Sequence, residues 1–497
     1  MKSWKWQNLK ELVDSLTVNE KRYFTLQQNE TKNKNYIKLF EAIQDKTDEK
    51  LVKKRLANLK INVSYEKSYL IKVILKNLRN FHEFSSLSVE FNQVLTDIEL
   101  LLDKKLYSFC YNYVNHYIEL ALKTESHTYL LQLIKWKRKC IIRLGNLQQL
   151  NLFSEEERII EEDCLRKMSC NSEIRLLQQK MLVLISQKGN SMHENDKKLM
   201  QEILLNSILI APPDYLSIIS QLMSLEIKIW GFYYSNNFQA AFDHVMMLSK
   251  IVEENEFIEI YNPQLYYATM ANLFNRAYKL DKKEIMDKAL WNIEKLAFTT
   301  RKNVSEDLKT EAISYVLERK LVGAANNLNF EEAINIFQEN KKIFSKYKFK
   351  YKPSFYILQY YFAGFAYFHS KDYNHAVKCI KHIIDNYNDS VRYDYILYTK
   401  IINLLLQYDL KNFSIIPHLL KSIERSLLKN KINVKVFEIT SAFLKKMIVK
   451  NLSSKENKTN LTLFLLQINE LEGIEDEEIF TSSIGLRIWA EQFLKQI

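Results

Sequence analysis

A chain of 497 residues with 7 glycines and 5 prolines has few folds open to it. Sheets and barrels close through tight turns, and those turns need residues that accept unusual backbone angles, glycine foremost. So few glycines cannot serve a many-stranded fold of this length; they suit helices joined by short polar turns. The sequence therefore predicts an all-α protein. Gly145, Gly189, Gly231, Gly323, Gly364, Gly473 and Gly485 also stand far apart. No glycine-rich phosphate loop and no G-x-S-x-G elbow can be assembled from them.

Other exclusions follow from residue types. Cys110, Cys140, Cys164, Cys170 and Cys379 are odd in number and form no C-x-x-C. That pattern argues against a disulfide framework or a zinc ribbon, and for a reducing compartment. The opening "MKSWKWQNLKELVDSL" turns amphipathic at once, and no run of about 18 apolar residues occurs. A cytoplasmic protein with no membrane span is expected. Formal charge is +12, and residues 1–80 hold 18 Lys+Arg against 9 Asp+Glu. The excess there fits a solvated lysine-rich surface, or an acidic partner such as nucleic acid.

Three regions are expected: a basic helical region at 1–90, a repetitive region at 91–460 and capping helices at 461–497. In the first, Thr17 followed by Glu20 forms a capping box. The second repeats itself. "SNNFQAAFDHV", "KKEIMDKALWNI", "NLNFEEAINIF" and "SKDYNHAVKCI" each carry a large apolar residue, an alanine three later and an apolar residue four beyond that. The sets are Phe238/Ala241/Val245, Met286/Ala289/Ile293, Phe330/Ala333/Phe337 and Tyr373/Ala376/Ile380, spaced by 48, 44 and 43 residues. Phe413/Ile416/Leu420 and Tyr107/Cys110/Val114 extend the series without the alanine. Such residues share one helix face, and alanine lets a neighbouring helix approach closely. Asn237, Asn329 and Asp372 are placed to cap three of these helices. An apolar helix precedes each, which makes a helical hairpin repeated in tandem.

This pattern resembles the tetratricopeptide repeat, most closely over 357–390, where Ala363-Gly364-x2-Tyr367 is followed by Ala376-x3-Ile380. The period here, about 40–48 residues, exceeds the family's 34, and the closing proline is missing. The overall look resembles bacterial helical-repeat proteins. The resemblance implies an α-solenoid of stacked antiparallel hairpins, tetratricopeptide-like with lengthened repeats, whose first helices line a concave groove. Mapped from the alanines, the groove-facing residues are Trp230, Tyr233, Phe274, Tyr278, Tyr315, Tyr361, Phe365 and Phe368. Rings in a groove suit a peptide or an amphipathic helix. The implied function is a non-catalytic scaffold or adaptor without a cofactor, its partner another protein or peptide. The alternative is a nucleic-acid-binding or regulatory protein using the basic region.

Other stretches admit sharper and plainer readings. In "KYKFKYKP", lysines alternate with Tyr347, Phe349 and Tyr351. The alternation suits a seam between repeats, rings on the core and lysines in water, or a nucleic-acid ribbon with rings exposed. His375, Cys379 and His382, with His369 nearby, present soft ligands along one helix, beside the packing face where half-buried histidine and cysteine are ordinary. Glu155–Asp163 reads as a charged, solvated helix face. "NELEGIEDEEI" reads as an acidic loop, and 480–497 as one terminal amphipathic helix with Ile484, Ile488, Trp489 and Phe493 on its apolar side. No histidine, carboxylate and nucleophile come together, so no catalysis is expected.

Overall fold

The computed structural model describes residues 5–27, 35–45, 50, 52, 54, 63–81, 86–188, 194–301, 303–346, 352–387, 392–429, 434–448 and 454–495. Among these there is no strand, and neighbouring helices pack in chain order as a helical-repeat-like fold. No described helix is long and apolar enough to cross a membrane. Tyr347, Phe349 and Tyr351, and most of the lysine-rich 50–60 run, lie outside the described residues. Two compact units result, Met1–Met286 with Thr300–Ser305, and Asp287–Thr299 with Glu306–Ile497.

The first unit opens with α1 (Trp6–Ser15), α2 (Val18–Gln27), α3 (Asn35–Asp45) and α4 (Val63–Phe81). Leu9, Val13, Phe24, Phe40, Leu70 and Ile74 give these four a core of their own. The capping box before α2 forms as expected: the Thr17 amide donates to Glu20 at 2.6 Å, and the Glu20 amide to the Thr17 hydroxyl at 3.2 Å. Next come α5 (Leu87–Asp103), α6 (Tyr107–Lys123), α7 (His127–Leu144) and the 42-residue α8 (Leu147–Lys188). α9 (Glu194–Leu204), α10 (Ser207–Ile210), α11 (Ile218–Tyr234), α12 (Phe238–Glu254), α13 (Glu256–Tyr261) and α14 (Pro263–Lys279) complete it. α8 serves two successive cores. Phe153 and Cys164 pack with α5–α7, while Ile174, Leu177, Met181 and Leu184 pack with α9–α11.

Helix α15 (Lys283–Ala297) carries the boundary between the units. The second unit continues with α16 (Glu306–Asn326), α17 (Phe330–Lys346), α18 (Pro353–His369), α19 (Tyr373–Asn386), α20 (Tyr393–Asp409) and α21 (Ile416–Lys429). It ends with α22 (Lys435–Met447), α23 (Ser454–Asn469), α24 (Glu475–Ile484) and α25 (Leu486–Leu494). Two expectations are corrected here. The acidic run is not all loop, because α24 begins at Glu475; and the terminal helix is two helices, broken at Gly485 where φ is +63°.

The repeat register holds. Ala241, Ala289, Ala333 and Ala376 are all fully buried, and so are Val245 and Ile293. Asn237, Asn329 and Asp372 accept from the amides of Ala240, Glu332 and His375 at 3.1, 3.4 and 3.2 Å, closing three helix starts as expected. The hairpin turns reveal a second regularity. Lys105, Glu125, Asn236, Asp281, Leu328, Lys371 and Lys411 all have φ between +49° and +63°, in the left-handed region. In each case the following amide reaches back to a carbonyl inside the preceding helix, as Asn237 does to Phe232 and Asp372 to Tyr367. This is the Schellman closure, with the next helix starting at once. No glycine is used at any of the seven, which is how the chain makes tight hairpins with so few.

Two outcomes follow for stability. Leu328 holds a left-handed conformation costing a side-chain-bearing residue roughly 1–2 kcal/mol, and its side chain is exposed. Leu328→Gly is therefore expected to raise unfolding stability by about 1 kcal/mol in urea titration. Ala376→Leu, by contrast, overfills a closed contact and should cost about 1–3 kcal/mol.

Candidate interaction surfaces

In the second unit the first helices α16, α18 and α20 lie side by side, and α24 packs on α20. α18 is apolar on nearly every side, so it must be enclosed. The C-terminal pair α24–α25 helps to enclose it. The Tyr361 hydroxyl donates to the Ser483 carbonyl, and His369 Nε2 to the Ile484 carbonyl at 3.3 Å. Gln492 Nε2 returns a bond to the His369 carbonyl at 3.2 Å. Asp409 at the end of α20 accepts from Trp489 Nε1 at 3.0 Å and from the Tyr373 hydroxyl at 3.1 Å. Ser483 and Ile484 end α24, where carbonyls lack helical partners, so these side chains satisfy groups that would otherwise be orphaned.

Gly485 is required there for two reasons. Its φ of +63° disfavours a side chain, and a Cβ would lie 2.3 Å from His369 Nε2. Glu477, buried within the run read as acidic loop, caps α22 from a distance. Its carboxylate accepts from the amides of Lys435 at 2.8 Å and Val436 at 3.0 Å. A carboxylate at a helix N-terminus meets both the orphan amides and the positive end of the dipole.

The eight mapped ring residues therefore fall into different settings. Tyr361, Phe365 and Phe368 are buried, in contact with Tyr395, Phe330 and Tyr373 respectively, and offer no open surface. The alanine mapping treated the face of α18 as empty, whereas the chain's own C-terminal pair lies on it. Trp230 is half-buried against the Ile174–Ile227 core. Phe274 is buried and stacks on Tyr278, which is 46% exposed. Tyr315 is half-buried with the Arg319 guanidinium 4.9 Å from its ring centre.

Tyr233 belongs to a patch that the mapping missed in part. The Arg276 guanidinium lies 3.9 Å from its ring centre, and Lys279 Nζ lies 4.7 Å from that of Phe238. The two rings meet edge to face at 5.4 Å. Arg276 and Tyr278 are two residues apart on one helix, about 200° around its axis, so the Tyr233 patch and the Phe274–Tyr278 stack occupy different flanks of α14. A further exposed stripe runs along α4: Tyr65, Tyr69, Lys72, Lys76 and Arg79, at helical spacing. Its residues were legible in the sequence, though their common face emerges only once α4 turns its other side to the core.

The soft-ligand stripe does not converge. His375 Nδ1 lies 2.7 Å from Asp372, and its ring stacks on Tyr367. His382 stacks on Tyr360 at 3.7 Å between centres. Cys379 is buried beside Gly364, and burial pushes its thiol up to about 12. Among the described residues no group of three His, Cys, Asp or Glu is arranged to hold a metal. No known protein family, no curated protein and no solved structure matches the chain.

His369 makes the C-terminal packing sensitive to acid. Burial pulls its imidazole down to about 4, with the Ile484 carbonyl opposing. An unfolded histidine titrates near 6.5. The neutral ring's contribution is therefore complete above about pH 6.5 and lost as pH falls toward 4, a span equivalent to about 3 kcal/mol. Burial raises the Asp409 carboxyl, an effect of opposite sign, so the comparison must be with a variant. His369→Gln keeps an amide donor for Ile484 and should flatten the stability difference between pH 7 and pH 4.5 in urea titrations.

Proposed function

We propose that the protein is a non-catalytic, cytoplasmic scaffold or adaptor, a tetratricopeptide-like α-solenoid whose first-helix layer grips helical or extended segments of other proteins. The supporting observation is internal: in the second unit the first helices α18 and α20 already hold a helical pair, Glu475–Leu494, by ring contacts and by hydrogen bonds to the end of a helix. In the first unit, the patch of Tyr233, Phe238, Arg276 and Lys279 supplies rings and cations together. Rigid rings give contact area, and cations beside them favour a segment bearing carboxylates. Arg276→Ala combined with Lys279→Glu is expected to lower recovery of a bound protein at least about tenfold, roughly 1.4 kcal/mol. Tyr278→Ala, on the other flank of α14, should leave recovery unchanged. Equal recovery with the double variant and the unsubstituted protein would defeat this placement of the site.

The α4 stripe motivates a second reading, in which the basic N-terminal region binds nucleic acid. Two exposed tyrosines followed by three exposed cations on one face suit stacking and phosphate contact. Affinity for single-stranded nucleic acid would then fall with salt at a log–log slope of about −0.7 per phosphate neutralised. Replacing Lys72, Lys76 and Arg79 with glutamine should flatten that slope by about 2. A slope that does not move removes this reading.

A further inference from the structure

Two of the five cysteines bring their sulfurs together. Cys110 lies in the first turn of α6 and Cys140 near the end of α7; both are fully buried, and their Sγ atoms are 3.4 Å apart. The Ile98 carbonyl of α5 lies 3.9 Å from Cys110 Sγ. The other three are placed differently. Cys164 faces His127 Nδ1 at 3.9 Å, Cys170 is half-buried, and Cys379 sits beside Gly364 in the middle of α19.

A disulfide holds its sulfurs about 2.0 Å apart. The pair must therefore close by about 1.4 Å, or about 0.7 Å for each sulfur, the scale of a modest χ1 rotation. The place in the hairpin matters as much as the distance. The turn from α6 to α7 lies at Thr124–Ser126, so Cys110 and Cys140 stand at the opposite end. Helix ends open locally far more often than helix middles. Burial raises both thiols, Cys140 to about 12, so the closed hairpin holds little thiolate. An opened end presents a thiol of ordinary acidity to a dissolved oxidant, with its partner across the hairpin.

We propose that Cys110 and Cys140 form a reversible disulfide that latches this end of the α6–α7 hairpin, the oxidant being a low-molecular-weight disulfide. One cysteine thiolate attacks that disulfide, forming a mixed disulfide and releasing one small thiolate. The second cysteine thiolate attacks the protein sulfur of the mixed disulfide and releases the other. The two protein thiols lose two electrons, the small disulfide gains them, and both protons end on its two thiols. Reclosing the hairpin buries the bond, so reduction also waits for opening. The pair is a slow latch: free in thiol-rich surroundings and joined after sustained oxidation, it adds a covalent tie to a core otherwise held by packing.

Incubating the full chain with oxidised glutathione at pH 8 tests this, each cysteine being followed by alkylation in denaturant and mass spectrometry. The tryptic fragments 106–123 and 140–143 should become joined within one chain. Cys379 supplies the comparison, because it is buried, its thiol is also raised to about 12, and it lies in mid-helix with no cysteine beside it. The Cys110–Cys140 bond should form at least about tenfold faster than Cys379 takes up glutathione. Cys140→Ala should leave Cys110 carrying glutathione, the step that the latch completes. A joined fragment pair that never appears, or appears no faster than Cys379 reacts, overturns the proposal. So does a bond whose formation costs helical circular dichroism, since the latch belongs to the closed hairpin.

Discussion

Every α-helix leaves amides at its start and carbonyls at its end without helical partners, and a chain built from short helices meets this cost at each connection. The connections here are organised around meeting it. Seven hairpin turns use the same left-handed residue and the same backward-reaching amide, so a preceding helix is closed and the next begun within three residues. Asn237, Asn329 and Asp372 then satisfy the opening amides locally. Carboxylates from elsewhere add to this: Glu125 accepts from the Ile218 amide at 2.6 Å beside the local Ser217 cap, and Glu477 caps α22, whose own N-cap residue Val434 cannot.

The same requirement explains how the C-terminal pair is held. The carbonyls at the end of α24 meet Tyr361 and His369 of α18, and Gly485 lets the chain turn between them without a side chain in the way. Hydrophobic packing supplies the area, with Trp489 against Phe443, Phe464, Tyr408 and Phe493. The polar contacts supply the register, since a shift of one residue would leave buried donors and acceptors unpaired. A surface that would be a groove in an open repeat array is thus part of a core in the second unit.

Local physics made much of this legible. Alanine three residues after a large apolar residue and four before another apolar residue announces a close helix contact, and all four alanines lie fully buried. Thr17 with Glu20 is a capping box by spacing alone, and it forms. Legibility ended where partners are far apart in the chain. Trp489 finds Asp409 across 80 residues, and Tyr361 finds Ser483 across 122. The apolar run around Tyr361 marks it as enclosed, but nothing near it in the chain identifies Ser483 as its partner. The two cation–ring pairs were half visible: Tyr233 came from the repeat register, but Arg276 and Lys279 belong to the following hairpin and join it only through packing.

Residue order alone determined that the chain is helical, where its hairpins repeat and which face of each helix is closed. These depend on turns, caps and side-chain spacing within a few residues. Tertiary structure alone decided which closed faces are shared with distant helices and which remain open: α18 enclosed, α14 divided between two flanks, α8 shared by two successive cores. An amphipathic pattern specifies that a face must leave water, but the identity of its cover is set by the free energy of the whole packed arrangement.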